Sequence, residues 1–494
     1  MLALYVSFYK SMFKKLKFNQ VFIIIAIILG FTCLGLTDEE NHPFGFAGPY
    51  PPDDFNKIKE LGVRYIRTEI NWGKIETSDN NFVFQKAQRS KKSKYDIVKN
   101  RYGLEPIVRL KLGQCWATKC DTVNVKCPRG SRYGCPDESA DCPPKDLGQW
   151  GKYGYSPLLY DFVYKTLEYA FSSNRPINFI VVGNEVNTMV FWHGTAEDYL
   201  KTRATVYRAV KDFNAAYGKD VKVVDNGIAG KVWGVALIKE MYCSGRKQEA
   251  LKFAEKYLRN TSYELKEDTI KRSCNQDGHD YLMLKAMFKK DPNLGGPSFD
   301  YMSYHFYEPW NTQEEIINWI KEEMKKNGYE RPIMHTEGGF SDKLRTYDNT
   351  PNLAKEVAND VIKLHVVALA NGVKTWLWLP FTERYEQRHY GPQWKGLVLP
   401  DQTKLPSFAA YKVMVEKLDG FTRVEKLDGL PIKYVYRFTV KNRPVYVLWN
   451  DEPGKIDFSS LISGKVKITQ VNADSSIIDS SNLLVTESPI FVEG

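Results

Sequence analysis

The feature of this sequence that most restricts its fold is a series of eight short apolar runs separated by amphipathic stretches. The runs are Phe44–Ala47, Val63–Ile70, Leu104–Leu112, Ile177–Val182, Val221–Ile228, Phe299–Phe306, Pro332–Glu337 and Val373–Pro380. They are rich in Val, Ile and aromatic residues, as strands covered on both faces require. The stretches with helical periodicity are Asp53–Leu61, Leu158–Phe171, Ala196–Tyr217, Gln313–Lys326 and Leu353–Ala370. This alternation predicts an α/β fold, a (β/α)8 TIM barrel over residues 41–419.

The barrel prediction has one competitor, a doubly wound open sheet built from the same alternation. That fold usually carries a Gly-rich phosphate-binding turn after its first strand, and none follows Phe44–Ala47. Two units are long because they contain insertions, at 113–157 and 231–298. The first insertion follows the third strand, so we expect it at the carboxyl-end face of the barrel.

The pattern changes after about Gly420, where short β-rich segments alternate with turn residues. These segments are Tyr434–Val440, Val445–Trp449, Val466–Val471, Ile477–Ile478 and Leu483–Val492. They predict a small C-terminal all-β domain over residues 420–494. Because so short a chain buries little core by itself, we expect the domain to pack on the barrel.

Residues 1–40 have the pattern of a targeting segment. An apolar run of about 16 residues, Val21–Leu36, follows a basic stretch and precedes acidic residues. A bilayer-spanning helix needs about 20 residues, so the run predicts a signal peptide, with an uncleaved membrane anchor as the alternative. In both cases the rest of the chain is translocated, to a secreted or cell-envelope location.

The charge balance argues against nucleic-acid binding. The net charge is +10, but four lysines lie before the apolar run, and without them the charge is about +6. So mild a surplus in a chain of 494 residues does not indicate a phosphate-binding surface. The sequence leaves the oligomeric state open.

The cysteines support export. Five of the eight lie in the first insertion, at Cys115, Cys120, Cys127, Cys135 and Cys142. Their spacing contains no C-x-x-C pair, which favours a loop held by disulfides over a zinc site.

Two further cysteines, Cys243 and Cys274, lie in the second insertion and predict another disulfide. Seven cysteines follow the apolar run, so one thiol is free or a bridge joins the two groups. The spacing leaves the connectivity open.

Two carboxylates follow buried strands. Glu185 comes after Ile177–Val182, and Glu337 ends the run Pro332–Glu337. In a barrel the carboxyl ends of the strands surround one cavity, so these side chains are expected to meet across it. A pair of facing carboxylates is what glycoside cleavage requires, with one protonating the leaving oxygen and the other attacking carbon or activating water.

The residues at these strand ends resemble the signature of clan A glycoside hydrolases, which are retaining (β/α)8 enzymes. The resemblance rests on Asn184-Glu185, Glu337, Arg67 on the second strand, His305-Phe306-Tyr307 on the sixth and Trp378 on the eighth. It covers residues 43–418, and the end of the chain resembles the last strand of the β-domain found in several clan families. The sequence is similar to glycoside hydrolase families five and thirty-nine of this clan, and no residue decides between them.

The resemblance implies that Glu185 is the general acid/base and Glu337 the nucleophile. Arg67 and a hydroxyl hydrogen bond from Tyr307 would keep Glu337 ionised. Glu69, two residues after Arg67, is an alternative partner for that arginine.

Three more residues are expected to contact the substrate. Asn184 is expected to bind the sugar 2-hydroxyl, and Trp378 to stack beneath the ring. His305 is expected either to bind a sugar hydroxyl or to orient Glu185. Glu308 and Glu383 also lie near strand ends and are rival carboxylates.

The sequence therefore predicts an O-glycosyl hydrolase that acts on β-linked glycosides or polysaccharide and needs no cofactor or catalytic metal. The seven His are scattered, and none forms the H-x-x-x-H spacing of a zinc site. Two alternatives use the same barrel: a non-catalytic carbohydrate-binding or scaffold protein, and an envelope transglycosylase that uses the same carboxylates. The sugar, the linkage and the choice between internal and terminal cleavage stay open.

Overall fold

The structure, a computed structural model, describes residues 39–48, 54–84, 99, 101–114, 116–121, 141–259, 266–340, 351–383 and 395–494. The predicted N-terminal apolar run lies outside these residues, as do Cys115, Cys127 and Cys135. In the part of the chain that is described, no helix combines the length and the apolar character needed to cross a membrane.

All eight apolar runs form strands, and the strands form a parallel sheet that closes into a barrel. The strands are β1 (Phe44–Phe46), β2 (Tyr65–Asn71), β3 (Glu105–Lys111), β4 (Phe179–Val182), β5 (Lys222–Val224), β6 (Met302–Phe306), β7 (Ile333–Gly338) and β8 (Val373–Trp378). Their order is β5-β4-β3-β2-β1-β8-β7-β6. A parallel bridge between Val224 and Tyr301 joins β5 to the start of the β6 segment. The barrel prediction is confirmed.

Helices surround the barrel and occupy the second insertion. They are α1 (Asp54–Glu60), α2 (Trp72–Ile75), α3 (Pro157–Ser172), α4 (Ala196–Tyr217), α5 (Val232–Cys243), α6 (Lys247–Leu258), α7 (Glu267–Ser273), α8 (His279–Met287), α9 (Gln313–Lys326), α10 (Pro351–Ala370) and α11 (Pro406–Leu418). The ends of α4 follow from local chemistry. Thr195 and Asp198 form a capping box at its start, and Gly218 ends it with a φ of 60°.

The C-terminal segments form a six-stranded antiparallel sheet and a two-stranded one. Their strands are β9 (Phe421–Lys426), β10 (Tyr434–Val440), β11 (Arg443–Trp449), β12 (Gly454–Ile456), β13 (Lys465–Gln470), β14 (Ser475–Asp479), β15 (Leu483–Val485) and β16 (Ile490–Glu493). Trp310, after β6, packs edge-on against Tyr434 and Trp449 at ring distances of 5.0 and 5.5 Å. The expected packing of this region on the barrel is thereby confirmed.

The barrel interior determines which residues face its mouth. A small apolar layer fills the base of the interior and consists of Ala47, Ile107, Val181, Val224, Met334 and Leu377. Side chains alternate along a strand, so residues two and four positions after a layer residue share its face. On β3 this places Arg109 and Lys111 on the inner face, above Ile107.

Among the described residues, two disulfides hold the insertions. Cys243 and Cys274 are bonded, as predicted, and join the end of α5 to the end of α7. Cys120 and Cys142 are also bonded, so the first insertion is held by at least one bridge. Disulfides are typical of proteins that fold in oxidising compartments.

A buried ion pair lies where β5 ends. The guanidinium of Arg203 on α4 binds Asp225 at 2.8 Å, and both side chains are fully buried. The Tyr199 hydroxyl donates to the same carboxylate at 2.5 Å, and the Asn226 amide donates to the Tyr199 oxygen at 2.8 Å. This polar cluster fixes the segment that follows β5, beside the segment that follows β4.

We predict that Arg203→Met destabilises the fold by about 3–5 kcal/mol, because it leaves the Asp225 carboxylate buried without its cation. The matched control is Arg208→Met on the same helix, where Arg208 pairs with Asp212 at a half-exposed position. Such a pair is worth less than about 1 kcal/mol. Urea unfolding followed by far-UV circular dichroism measures both changes. Equal losses in the two variants would contradict the prediction.

Candidate active site

The centre of the barrel mouth is a buried arginine that joins three strands. The Nη1 of Arg67 on β2 binds Glu337 Oε2 on β7 at 2.7 Å. Its Nη2 donates to Asn184 Oδ1, just after β4, at 2.5 Å. Arg67 is only 5% exposed, so its charge depends on these partners. The alternative partner, Glu69, lies instead 4.0 Å from Arg109.

Glu337 reaches the mouth through an irregularity in β7. Ser303 pairs with Met334 and Tyr304 with His335, but His305 pairs with Glu337, so β7 contains one extra residue. An extra residue in a strand reverses the alternation of side chains beyond it. Glu337 therefore points inward, although it lies an odd number of residues after the interior residue Met334.

Glu185 is positioned by a strained turn after β4. Its φ is 43°, a left-handed conformation that side-chain-bearing residues seldom adopt, and Gly183 before it has a φ of 79°. The Val186 amide donates to Asn226 Oδ1 at 3.3 Å, and the Thr188 amide donates to the Glu185 carbonyl at 2.9 Å. The turn is thus held partly by the residues that follow β5.

His305 orients Glu185 from below. Its Nδ1 lies 2.9 Å from Glu185 Oε1, and the ring is fully buried. The opposite edge of the ring lies against Gly227, where an added Cβ would come within 2.5 Å of Nε2. A ring so enclosed has no open edge for a ligand, so the geometry favours the orienting role over direct sugar binding.

The two carboxylates face one another at short range. One oxygen of Glu185, one of Glu337 and a ring nitrogen of His305 all lie within 4.8 Å of one another. The two carboxylate side chains keep 13% and 18% of their surface exposed, so a ligand in the mouth can contact both. Beside them, the amide oxygen of Asn184 accepts from Arg67, and within the described ranges its amide nitrogen donates to no other group.

The surroundings of Glu337 favour its ionised form. Burial by itself would raise the pKa of Glu337, but the neighbouring His305 and Arg67 and the Tyr307 hydroxyl outweigh it and hold the pKa below its usual value. The Tyr307 hydroxyl donates to Glu337 Oε1 at 2.9 Å. Burial and the nearby Glu337 charge raise the pKa of Tyr307 well above its usual value, so the tyrosine stays a donor.

The same donor atoms could in principle hold a cation, because two carboxylates and an imidazole converge. Both oxygens of Glu337 are already engaged, however, one by Arg67 and the other by Tyr307. A guanidinium at 2.7 Å would also repel a metal ion bound to that carboxylate. The arrangement therefore fits an organic substrate better than a metal.

The prediction for Trp378 is wrong in this structure. Its side chain is completely buried, stacks near Trp376 and His365 outside the barrel wall, and its indole NH donates to the Lys395 carbonyl at 3.3 Å. Leu377 points into the barrel interior, so Trp378 must point outward. A ring covered on both faces has none left for a sugar.

The rival carboxylates lie outside the central pair. Glu308 is buried and accepts from the Tyr307 amide at 2.8 Å, and burial raises the pKa of Glu308 to about 7. Glu383 is buried and accepts from the Gly396 amide at 2.7 Å. Each carboxylate therefore has a backbone donor that accounts for its position.

Sequence reasoning missed the residues that flank the pair on β3. Arg109 on that strand binds Asp141 of the first insertion at 3.3 Å. Asp141 also accepts from the Leu112 amide at 2.6 Å and is fully buried. The polar residues of β3 follow Ile107 with period two, and that spacing was the available signal.

Comparison with known proteins supports the fold. No protein-family model matches the sequence, and no curated protein matches it. Among solved structures, a family 39 glycoside hydrolase from the gut symbiont Bacteroides cellulosilyticus WH2 superposes with a TM-score of 0.55 and 16% identity, over 92% of this chain and 81% of the other. A conserved exported protein from Bacteroides fragilis gives a TM-score of 0.53 and 13% identity, over 92% and 98%. The catalytic domain of GH30 xylanase C from Talaromyces cellulolyticus gives 0.52 and 11%, over 93% and 98%.

These likenesses concern the architecture. At 11–16% identity they show that the chain shares the barrel and β-domain arrangement of such structures. The resemblance to clan A inferred from the sequence is confirmed at the level of the fold.

We predict that Tyr307→Phe raises the pKa of Glu337, because the carboxylate loses a hydrogen bond that stabilises its charged form. The pKa is measured by carbon-13 NMR of labelled glutamate carboxyls, and Glu337→Gln identifies the resonance. Tyr304→Phe is the control, since Tyr304 lies on the outer face of β6, just before Tyr307 in the chain, and packs against Trp233. The prediction fails if Tyr307→Phe and Tyr304→Phe leave the pKa of Glu337 equal.

Proposed function

We propose that this protein is a retaining glycoside hydrolase that cleaves β-linked glycosides or polysaccharide through a covalent glycosyl-enzyme intermediate. The observation that carries the proposal is the short separation of the two carboxylates, whose nearest oxygens lie within 4.8 Å. Retaining glycosidases have carboxyl groups about 5–5.5 Å apart, whereas inverting enzymes leave a wider gap for water. The fold shared with structures named as glycoside hydrolases supports the same proposal.

In the first step Glu337 attacks the anomeric carbon while Glu185 protonates the departing oxygen. Glu337 suits attack because Arg67 and Tyr307 hold it ionised and fix both of its oxygens. Glu185 lies on the opposite side of the mouth, where one of its oxygens is 2.9 Å from Nδ1 of His305.

In the second step Glu185, now deprotonated, takes a proton from water, which attacks the anomeric carbon and releases Glu337. Two displacements at one carbon restore its original configuration. The amide of Asn184 would donate to the sugar 2-hydroxyl, a contact that strengthens as positive charge develops on the ring. Arg67 fixes this amide by binding its oxygen.

The proposed location is extracytoplasmic. The disulfides Cys120–Cys142 and Cys243–Cys274 suit an oxidising compartment, and the N-terminal apolar run predicts export. In such a location the substrate would be an oligo- or polysaccharide. An acceptor sugar in place of water would make the same residues perform transglycosylation, which product analysis with added acceptor distinguishes.

We predict that wild type hydrolyses aryl β-glycosides and that Glu185→Ala and Glu337→Ala each lower kcat/KM by about 10²–10⁴-fold. The control is Glu330→Gln, because Glu330 is exposed and precedes β7 at the opposite end of the barrel. Equal activity in wild type and both alanine variants would contradict the proposal that the protein is a glycoside hydrolase.

Added azide distinguishes the two roles. In Glu185→Ala, azide attacks the glycosyl-enzyme and gives a β-glycosyl azide by double displacement. In Glu337→Ala, azide takes the place of the nucleophile and a single displacement gives the α-glycosyl azide. Proton NMR of the anomeric hydrogen reads the configuration. The opposite assignment of products would exchange the two roles, and a first hydrolysis product of inverted configuration in wild type would exclude retention.

A further inference from the structure

The inner face of β3 carries a cation that forms no ion pair with any residue in the described part of the chain. Arg67 is paired with Glu337, and Arg109 with Asp141. Lys111 ends β3 on the same face as Arg109 and is partly buried. Throughout the described ranges, its ammonium makes no hydrogen bond and no ion pair within 4.0 Å.

The pairing of β3 with β4 places Lys111 near the two carboxylates. Its neighbour Leu110 pairs with Val182, so Lys111 is level with Gly183, two residues before Glu185. Adjacent strands lie about 4.8 Å apart, and a lysine side chain extends further than that. A sugar held between Glu185 and Glu337 would therefore be within reach of this ammonium.

A second uncommitted donor lies beside the lysine. Asn71 pairs with Lys111 across β2 and β3. Its side chain does not cap α2, and in the part of the chain that is described its amide has no hydrogen-bond partner. An ammonium and an amide on adjacent strands provide the donors that an anionic group requires, both directed to one side of the mouth.

The charges around Lys111 fit an anionic ligand. Glu69 is the carboxylate that acts most strongly on the Lys111 charge, but it is 45% exposed and lies 4.0 Å from Arg109, with no ion pair to the lysine within that distance. Arg109 and Lys74 add positive potential around the ammonium, and Glu69 and Asp141 add negative potential, but both of these carboxylates are in contact with Arg109. Burial lowers the pKa of Lys111, and a negative group in contact with it would offset that effect.

We infer that Lys111 and Asn71 form a subsite for an anionic substituent of the sugar, either a uronic carboxylate or a sulfate ester. The inference rests on the proposed function, since it concerns the substrate of the same mouth. The enzyme would then prefer acidic glycosides over neutral ones of the same configuration. Hydrogen bonds between charged groups in a partly buried site are worth a factor of ten or more in affinity.

The test uses three aryl β-glucosides that differ only at carbon 6: the neutral glucoside, its 6-carboxylate and its 6-sulfate. Wild type is expected to show kcat/KM at least tenfold higher on one charged substrate than on the neutral one, with the advantage falling as salt rises. Whichever charged substrate is preferred identifies the anionic group. Lys111→Met is expected to reduce the ratio of charged to neutral kcat/KM at least tenfold, and Lys111→Arg to retain most of it.

The matched control is Lys374→Met, which removes an exposed lysine of β8 and should leave the ratio at its wild-type value. A wild type that cleaves the neutral glucoside with no preference for either charged one overturns the subsite and leaves the proposed function intact. A ratio in Lys111→Met equal to that of the control also overturns it. If wild type cleaves none of the three, the result counts against the proposed hydrolase itself.

Discussion

The geometry of the site depends on one buried guanidinium, that of Arg67. Arg67 lies at the centre of the mouth with almost no contact with water, and a charge in that position is stable only if it is paired. Its two partners come from the ends of β4 and β7, so one side chain on β2 fixes the relative positions of three strand ends. Removing either partner would leave buried polar groups unsatisfied, which ties the geometry of the carboxylates to the stability of the barrel.

The carboxylates of Glu185 and Glu337 lie in different surroundings. Glu337 receives a cation and a hydroxyl, which favour the charged form, whereas Glu185 contacts a buried imidazole. The proposed division of roles, with Glu337 as nucleophile and Glu185 as acid/base, would use this difference in environment. The backbone at Glu185 is also strained, with a φ of 43°. Strain of this kind costs about 1–3 kcal/mol and persists only where the surrounding contacts enforce it.

Most of the barrel could be predicted from the sequence, because continuous apolar runs of strand length indicate buried parallel strands. The inward or outward direction of each side chain could not, since such runs are apolar on both faces. The resemblance to clan A predicts that Trp378 stacks on the sugar, and the run itself could not show that Leu377 is the residue that points inward. The extra residue in β7 could not be predicted either, because no local sequence pattern indicates it. It nevertheless determines the direction of the Glu337 side chain.

Other features needed long-range contacts that a sequence does not contain. The cysteine spacing indicated disulfides, but the pairing of Cys120 with Cys142 depends on how the insertion folds back. The strand Phe421–Lys426 was missed because it pairs with β10 across an intervening loop and is half-exposed along most of its length. The two facing carboxylates, Glu185 and Glu337, could be found because both follow recognisable strands.

The first insertion connects disulfide chemistry to the charge balance of the mouth. Cys142 directly follows Asp141, the buried carboxylate that neutralises Arg109 beside Arg67. Asp141 is further held by the Leu112 amide, and the Cys142 amide donates to the Leu112 carbonyl at 3.5 Å, so the insertion is fastened to the end of β3. Without that fastening, Arg109 would keep only the half-exposed Glu69, at 4.0 Å, of the two carboxylates that it contacts. The Cys120–Cys142 disulfide therefore closes the loop and also helps to hold Asp141, the carboxylate that neutralises Arg109, at this edge of the mouth.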